Sequence, residues 1–150
     1  MDTRAIAMRL QKLDGYLRSL RQVQTVPLEE YLDDDSIQTY VERKLQLAIQ
    51  VCMDVGNYLI GQLGLNVPDE QENVFAVLGR EGILDPGLAR RMVGMVRFRN
   101  ILVHDYLDID SHIVYRNLTG ELEDFDQFAQ TVVVRFLSDE SSDQGANTQR

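Results

Sequence analysis

Four side chains near residue 100 carry more chemistry than an apolar helix end needs: Arg99, Asn100, His104 and Tyr106, in the run RFRNILVHDY at residues 97–106. An arginine can grip phosphate oxygens with two parallel hydrogen bonds and offset charge developing on them. Histidine exchanges a proton near neutral pH. Asparagine adds an amide donor and acceptor, and tyrosine a hydroxyl. Residues 88–104 contain four arginines (Arg90, Arg91, Arg97, Arg99) and no acid. A guanidinium, an amide and an imidazole in such a stretch suit a phosphodiester. The competing reading is structural, with Arg99 paired to one of the chain's many acids and Asn100 and His104 capping a helix end. Tyr106, read from its neighbours alone, is a core aromatic whose hydroxyl reaches the surface.

A helix from Pro86 to about His104 must position these groups. At about 100° per residue, Leu88, Met92, Met95, Leu102 and Tyr106 fall within a sector roughly 80° wide, the stripe that faces a core. Arg99 lies inside that sector, where an unpaired charge costs several kcal/mol of desolvation. Asn100 and His104, four residues apart, share the adjacent face. On an ideal helix Arg99 and His104 diverge by about 140°. Their ends meet only through the long arginine stem, a bend near His104, or a second subunit.

The other elements are helical as well. Ile6, Leu10, Leu13, Leu17 and Leu20 mark a first amphipathic helix. Pro27 and the acids Asp33, Asp34 and Asp35 interrupt it, and those acids suit a helix N-terminus as a solvated cap. A long second helix follows, with Ile37, Val41, Leu45, Ala48, Cys52, Val55, Leu59 and Leu63 on one face, ended by Gly64, Asn66 and Pro68. Asp69 and Glu72 have capping-box spacing and predict a short third helix through about Arg80. Gly82, Asp85 and Pro86 suit a C-cap, an N-cap and a first helical position in turn. Val114, Leu118, Leu122, Phe125, Ala129, Val132 and Phe136 predict a fifth helix. The expected fold is an all-α bundle of four long helices and a short one over residues 1–137, with a disordered tail at 138–150.

The chain has 150 residues, 44% hydrophobic and 26% charged, enough for one domain with a core. A net charge of −9 argues against a general nucleic-acid binder, yet the acidic surplus lies at residues 29–35, 69–72, 105–110, 121–126 and in the tail, leaving a basic island around Arg99. No charged-then-apolar leader and no apolar run of about 20 residues is present, so a soluble, cytoplasmic protein without a membrane role is expected. The single Cys52 falls on an apolar stripe and reads as a buried structural cysteine. The two histidines and this cysteine lack zinc-ligand spacing, so no metal and no cofactor is expected. His112, beside Asp110 and Ser111, reads as helix-start chemistry, and Tyr40 and Tyr58 as packing residues.

The pattern Arg99-Asn100-x-x-x-His104-x-Tyr106 resembles the R-x4-H-x-Y signature of the HEPN superfamily, specifically the HepT-like toxins. YLDDDSIQTYVERKLQLAIQVCMDVGNYLI, VFAVLGREGIL and LARRMVGMVRFRNILVHDYLDIDSHIVYRNL are similar to that family's successive helices, so the resemblance covers roughly residues 31–137. It implies a HEPN-type bundle forming a symmetric dimer, with the motifs of two subunits lining one cleft. It implies a toxin of a toxin–antitoxin pair, a metal-independent endoribonuclease that cuts tRNA or mRNA. The 2′-hydroxyl of RNA would attack its own phosphate, with His104 moving protons, Arg99 stabilising the phosphate and Asn100 orienting His104 or the backbone. Arg90, Arg91, Arg97 and Arg116 are candidates to guide RNA, or plain surface charge. The resemblance further implies an MntA-like nucleotidyltransferase antitoxin that adenylylates Tyr106. The alternative function is a non-catalytic helical module that binds a nucleotide or the nucleotidyltransferase.

Overall fold

The computed structural model describes residues 1–69 and 73–138, the side chain of Tyr106 apart, and every regular element among them is helical. They are α1 (Thr3–Val23), α2 (Leu28–Asp33), α3 (Asp35–Gln62), α4 (Val74–Arg80), α5 (Pro86–His104), α6 (Ser111–Gly120) and α7 (Leu122–Val132). A 3-10 turn spans Tyr106–Asp108, and a π turn spans Val133–Leu137. The all-α bundle expected from periodicity is the observed architecture.

Helix α3 is the spine. Asp34 caps it, its carboxylate accepting from the N–H groups of Ser36 and Ile37 at 3.0 Å each, which is what the acidic run predicts. Its 28 residues, at about 1.5 Å each, span roughly 42 Å. Val41, Leu45, Ala48, Ile49, Cys52, Val55 and Leu59 are buried along it, and α1, α4, α5 and α6 pack around it. Cys52 is fully buried, and burial pushes its thiol pKa up, which keeps it protonated and unreactive. A Cβ on Gly56 would come 2.6 Å from Val74 Cγ2, so a glycine there is what lets α4 lie against α3.

The turn into α5 follows the expected chemistry. Gly82 adopts φ 73°, and the next N–H, that of Ile83, returns to the carbonyl of Leu78 at 2.9 Å, closing α4. Asp85 then caps α5, accepting from Gly87 and Leu88 N–H at 3.0 and 3.2 Å, with Pro86 at the first helical position.

Several expectations change. Residues 28–33 form α2, six residues whose single buried side chain, Tyr31, stacks at a tilt on Tyr115 with centroids 5.3 Å apart; so short an element shows no period. The cap of α4 is Asn73, accepting from Phe75 and Ala76 N–H at 3.0 and 3.2 Å, so the helix starts later than the Asp69–Glu72 spacing predicts; Glu72 itself lies outside the described residues. The fifth helix is two, α6 and α7, separated at Glu121 after Gly120. A glycine is the poorest helix former after proline, and the one-residue break keeps both apolar stripes facing inward, which is why the period runs through it. In α7 it is Phe128, edge-on to Phe75 at 5.7 Å and 87°, that is fully buried, and Ala129 only partly.

Tyr58 is half-buried, its hydroxyl donating to the Asp2 carbonyl at 3.0 Å. Tyr40 is exposed instead of packed, with the Lys44 ammonium 5.4 Å from its ring centroid, a cation–π contact at the surface. Of the tail at 138–150, residues 139–150 lie outside the described residues.

Candidate functional site

Leu88, Ala89, Met92, Met95, Val96 and Leu102 are buried and hold α5 against the core. This seam sets the rotation of the helix and therefore where its polar groups emerge. Arg99 is half-buried on it, as the projection requires. Among the described residues Arg99 forms no ion pair. Its Nη2 donates to Gln50 Oε1 of α3 at 2.6 Å, and its Nη1 to Asn100 Oδ1 at 3.0 Å. Its Nε is buried with no acceptor. Gln50 in turn donates from Nε2 to Asp54 Oδ1, one turn along α3, at 2.9 Å.

Asn100 is exposed, and its carbonyl oxygen orients Arg99. No hydrogen bond joins it to His104, so within one chain it serves the guanidinium and not the imidazole. His104 is exposed in the last turn of α5 and bonds to no other described side chain. Because α5 runs unbroken through His104, the divergence of about 140° from Arg99 stands. The helix stops at the next residue. Asp105 is its C-cap, and Asp108 N–H returns to the Asp105 carbonyl at 2.8 Å. Tyr106 therefore opens a 3-10 turn just beyond the last residue of α5, His104, and its C-cap, Asp105.

Arg91, two turns upstream, contrasts with Arg99. Its Nε donates to Asp124 Oδ1 of α7 at 2.9 Å and its Nη2 to Gln127 Oε1 at 3.3 Å. Asp124 is 7% exposed, so here the structural ion pair is real. Glu121 stands beside it; burial first, then the Asp124 charge, raises its pKa, against the opposing pull of Arg91 and Arg116. Arg90, Arg97 and Arg116 are exposed. His112 is exposed at the start of α6, its backbone N–H on Asp110 Oδ1 at 2.9 Å, which is helix-start chemistry as expected. Among the described residues no group of three or more His, Cys, Asp and Glu side chains could hold a metal ion, and no helix is long and apolar enough to cross a membrane.

Gln50 and Asp54 are the functional candidates that sequence reasoning missed. Their only local signal is two polar residues one turn apart beside an apolar stripe, a common arrangement on any long helix. What marks them is the guanidinium that arrives from α5.

The helical order and the placement of the motif at the end of α5 define a HEPN-type bundle. Residues 13–132 match the family Ribonuclease HepT-like, and the chain belongs to that family. It is 29% identical over 127 residues to the tRNA nuclease HepT of Aphanizomenon flos-aquae, covering 85% of this chain and 86% of that protein. It is 28% identical over 125 residues to the mRNA nuclease HepT of Shewanella oneidensis, covering 82% and 94%. Its fold matches the tri-AMPylated HEPN toxin of Shewanella oneidensis, solved in complex with MNT antitoxin, with a TM-score of 0.80 and 26% identity over 87% of this chain and 97% of that one.

Proposed function

We propose that this chain is the toxin of a toxin–antitoxin pair, an endoribonuclease that works without a metal ion as a two-fold dimer. The observation that carries the reading is Arg99. The helix presents a guanidinium held by neutral amides, beside an exposed His104, in a chain of the HepT-like ribonuclease family. A guanidinium that no carboxylate neutralises is available to hold a phosphate. In a dimer the Arg99 and His104 of two subunits share one cleft, which removes the need for them to converge within one chain.

The 2′-hydroxyl oxygen of RNA attacks the adjacent phosphorus, and the bond from phosphorus to the 5′-oxygen breaks. A cyclic phosphate and a 5′-hydroxyl result. His104 side chains take the proton from the 2′-oxygen and return one to the leaving oxygen. Arg99 stabilises the extra charge on the crowded phosphate, and Asn100 keeps the guanidinium in place. Exposed Arg90, Arg97 and Arg116 guide the strand through phosphate contacts, and Arg91 contributes less because Asp124 holds it. The RNA is tRNA or mRNA, the substrates of the two nuclease relatives.

An MntA-like nucleotidyltransferase silences the toxin by adenylylating Tyr106. Support comes from the AMPylated state of the similar Shewanella toxin and from the place of Tyr106, two residues beyond His104. An added phosphate there competes with RNA for Arg99. The test is RNA cleavage by purified protein in chelator. Wild type is expected to cleave, and Arg99→Ala and His104→Ala to fall about 10²–10³-fold. No cleavage by wild type, with or without chelator, would point to the binding module instead. Wild-type rates in both variants would remove Arg99 and His104 from the catalytic site, and loss of wild-type cleavage in chelator alone would remove metal independence. Intact-mass measurement after co-expression with the nucleotidyltransferase should show adenylyl increments on wild type and none on Tyr106→Phe.

A further inference from the structure

We propose that Gln50, fixed by Asp54, is the positioning residue that holds Arg99 ready for phosphate; this rests on the proposed role of Arg99. The orientation of the Gln50 amide follows from its two partners. Above its pKa an aspartate carboxylate only accepts hydrogen bonds, and a guanidinium only donates them. The NH2 of Gln50 must therefore face Asp54 and its oxygen must face Arg99, as the 2.9 and 2.6 Å contacts have it. Turning the amide over would set donor against donor and acceptor against acceptor. Asp54 thus acts on Arg99 at one remove, polarising the amide without touching the cation.

The choice of a neutral amide has a chemical consequence. A carboxylate at position 50 would pair with Arg99 through two charge-assisted hydrogen bonds, and an incoming phosphate would have to displace it. An amide oxygen fixes one Nη and leaves the full positive charge in place. Gln50 and Asn100 together use two of the five N–H donors of Arg99, and Nε is buried with no acceptor. In Arg91 the corresponding Nε is satisfied, and by a charged partner, Asp124, with Gln127 on Nη2. Gln50 and Asp54 also line a cavity of about 480 Å³ between α1 and α3 that Arg9, Lys12 and Tyr16 share. Arg9 and Lys12 share that cavity wall with Asp54, whose carboxylate is engaged by Gln50 and not by Arg99.

The experiment measures steady-state RNA cleavage over a range of pH for full-length wild type, Gln50→Leu, Gln50→Glu, Asp54→Leu and Arg99→Ala. Gln50→Leu is expected to lower kcat about 10–100-fold with KM changed less than about 3-fold, because the guanidinium is still present but no longer aimed. Asp54→Leu should fall between wild type and Gln50→Leu. Gln50→Glu preserves the shape of the side chain and so guards against a folding defect. It should lose activity at neutral pH and regain it as the pH falls and the introduced acid is protonated, releasing Arg99. A purely structural role for Gln50 predicts no such recovery. Wild-type kcat in Gln50→Leu, or a Gln50→Glu pH profile parallel to wild type, with Arg99→Ala inactive, would overturn this inference alone. Arg99→Ala at the wild-type rate would overturn the reading beneath it.

Discussion

Two of the four arginines of helix α5, Arg91 and Arg99, are treated in opposite ways by its two halves. Near the N-terminus Arg91 meets the buried carboxylate of Asp124 and the amide of Gln127. Near the C-terminus Arg99 meets, among the described residues, only amides, keeps one buried donor unsatisfied and lies a turn and a half before His104, which bonds to no other described side chain. The first half is built to hold the bundle together, since its charges cancel. The second keeps a net positive charge facing outward, at some cost to the fold. An arginine on a core-packed helix is thus not informative by type; its partner decides whether it is scaffold or chemistry.

The sharpest way to break this contrast is to delete each charge in turn. Arg99→Met should lower RNA cleavage by about 10²–10³-fold while leaving thermal stability unchanged or slightly raised, because removing a buried, unsatisfied donor removes a penalty of about 1–3 kcal/mol. Arg91→Met should do the reverse. It strands Asp124 in the interior without its cation and should cost about 2 kcal/mol in denaturant unfolding, a value reduced from the fully buried case because Arg91 is nearly half exposed. Its effect on kcat per folded molecule should stay within about 3-fold, since a guiding contact at most is lost. Equal losses of stability in the two variants would collapse the distinction.

A smaller effect comes from the cap that ties α4 to α5. Asn73 caps α4 and also donates to the Val93 carbonyl of α5 at 3.3 Å, so Asn73→Ala should destabilise by about 1–2 kcal/mol without changing the pH profile of cleavage. The smallest expected effect is at Glu121, and its sign is fixed. Its folded-state pKa is raised, so the native protein binds a proton that the unfolded chain has already released. Stability is therefore fullest below the ordinary glutamate pKa and falls as pH rises toward the raised value. Glu121→Gln should flatten that slope and leave the variant more stable than wild type at neutral pH. Urea midpoints from pH 4 upward, roughly one unit apart, would show a steeper decline in wild type, or sink the assignment.

Much of the bundle was legible before any coordinates. Periodicity marks α1, α3 and α5, and local chemistry marks their boundaries, because a cap is a bond between neighbours: Asp34 to Ser36 and Ile37, Asp85 to Gly87 and Leu88, Gly82 at a left-handed turn. Elements too short for a period escaped, as α2 did, and so did the break at Gly120, where the apolar spacing continues across two helices.

At the site the division is equally physical. By itself the sequence determined that Arg99 lies on the buried side of α5 and that Asn100 and His104 share the next face, since both follow from the pitch of one helix, while the resemblance to the family motif rests on residue types and order alone. Only the tertiary structure decided that Arg91 takes the carboxylate, 33 positions away, and Arg99 the amide, 49 positions away. Those choices depend on how α3, α5 and α7 are rotated against one another. That rotation is set by the whole packed core, through side chains such as Met92, Met95 and Phe128 that carry no charge at all.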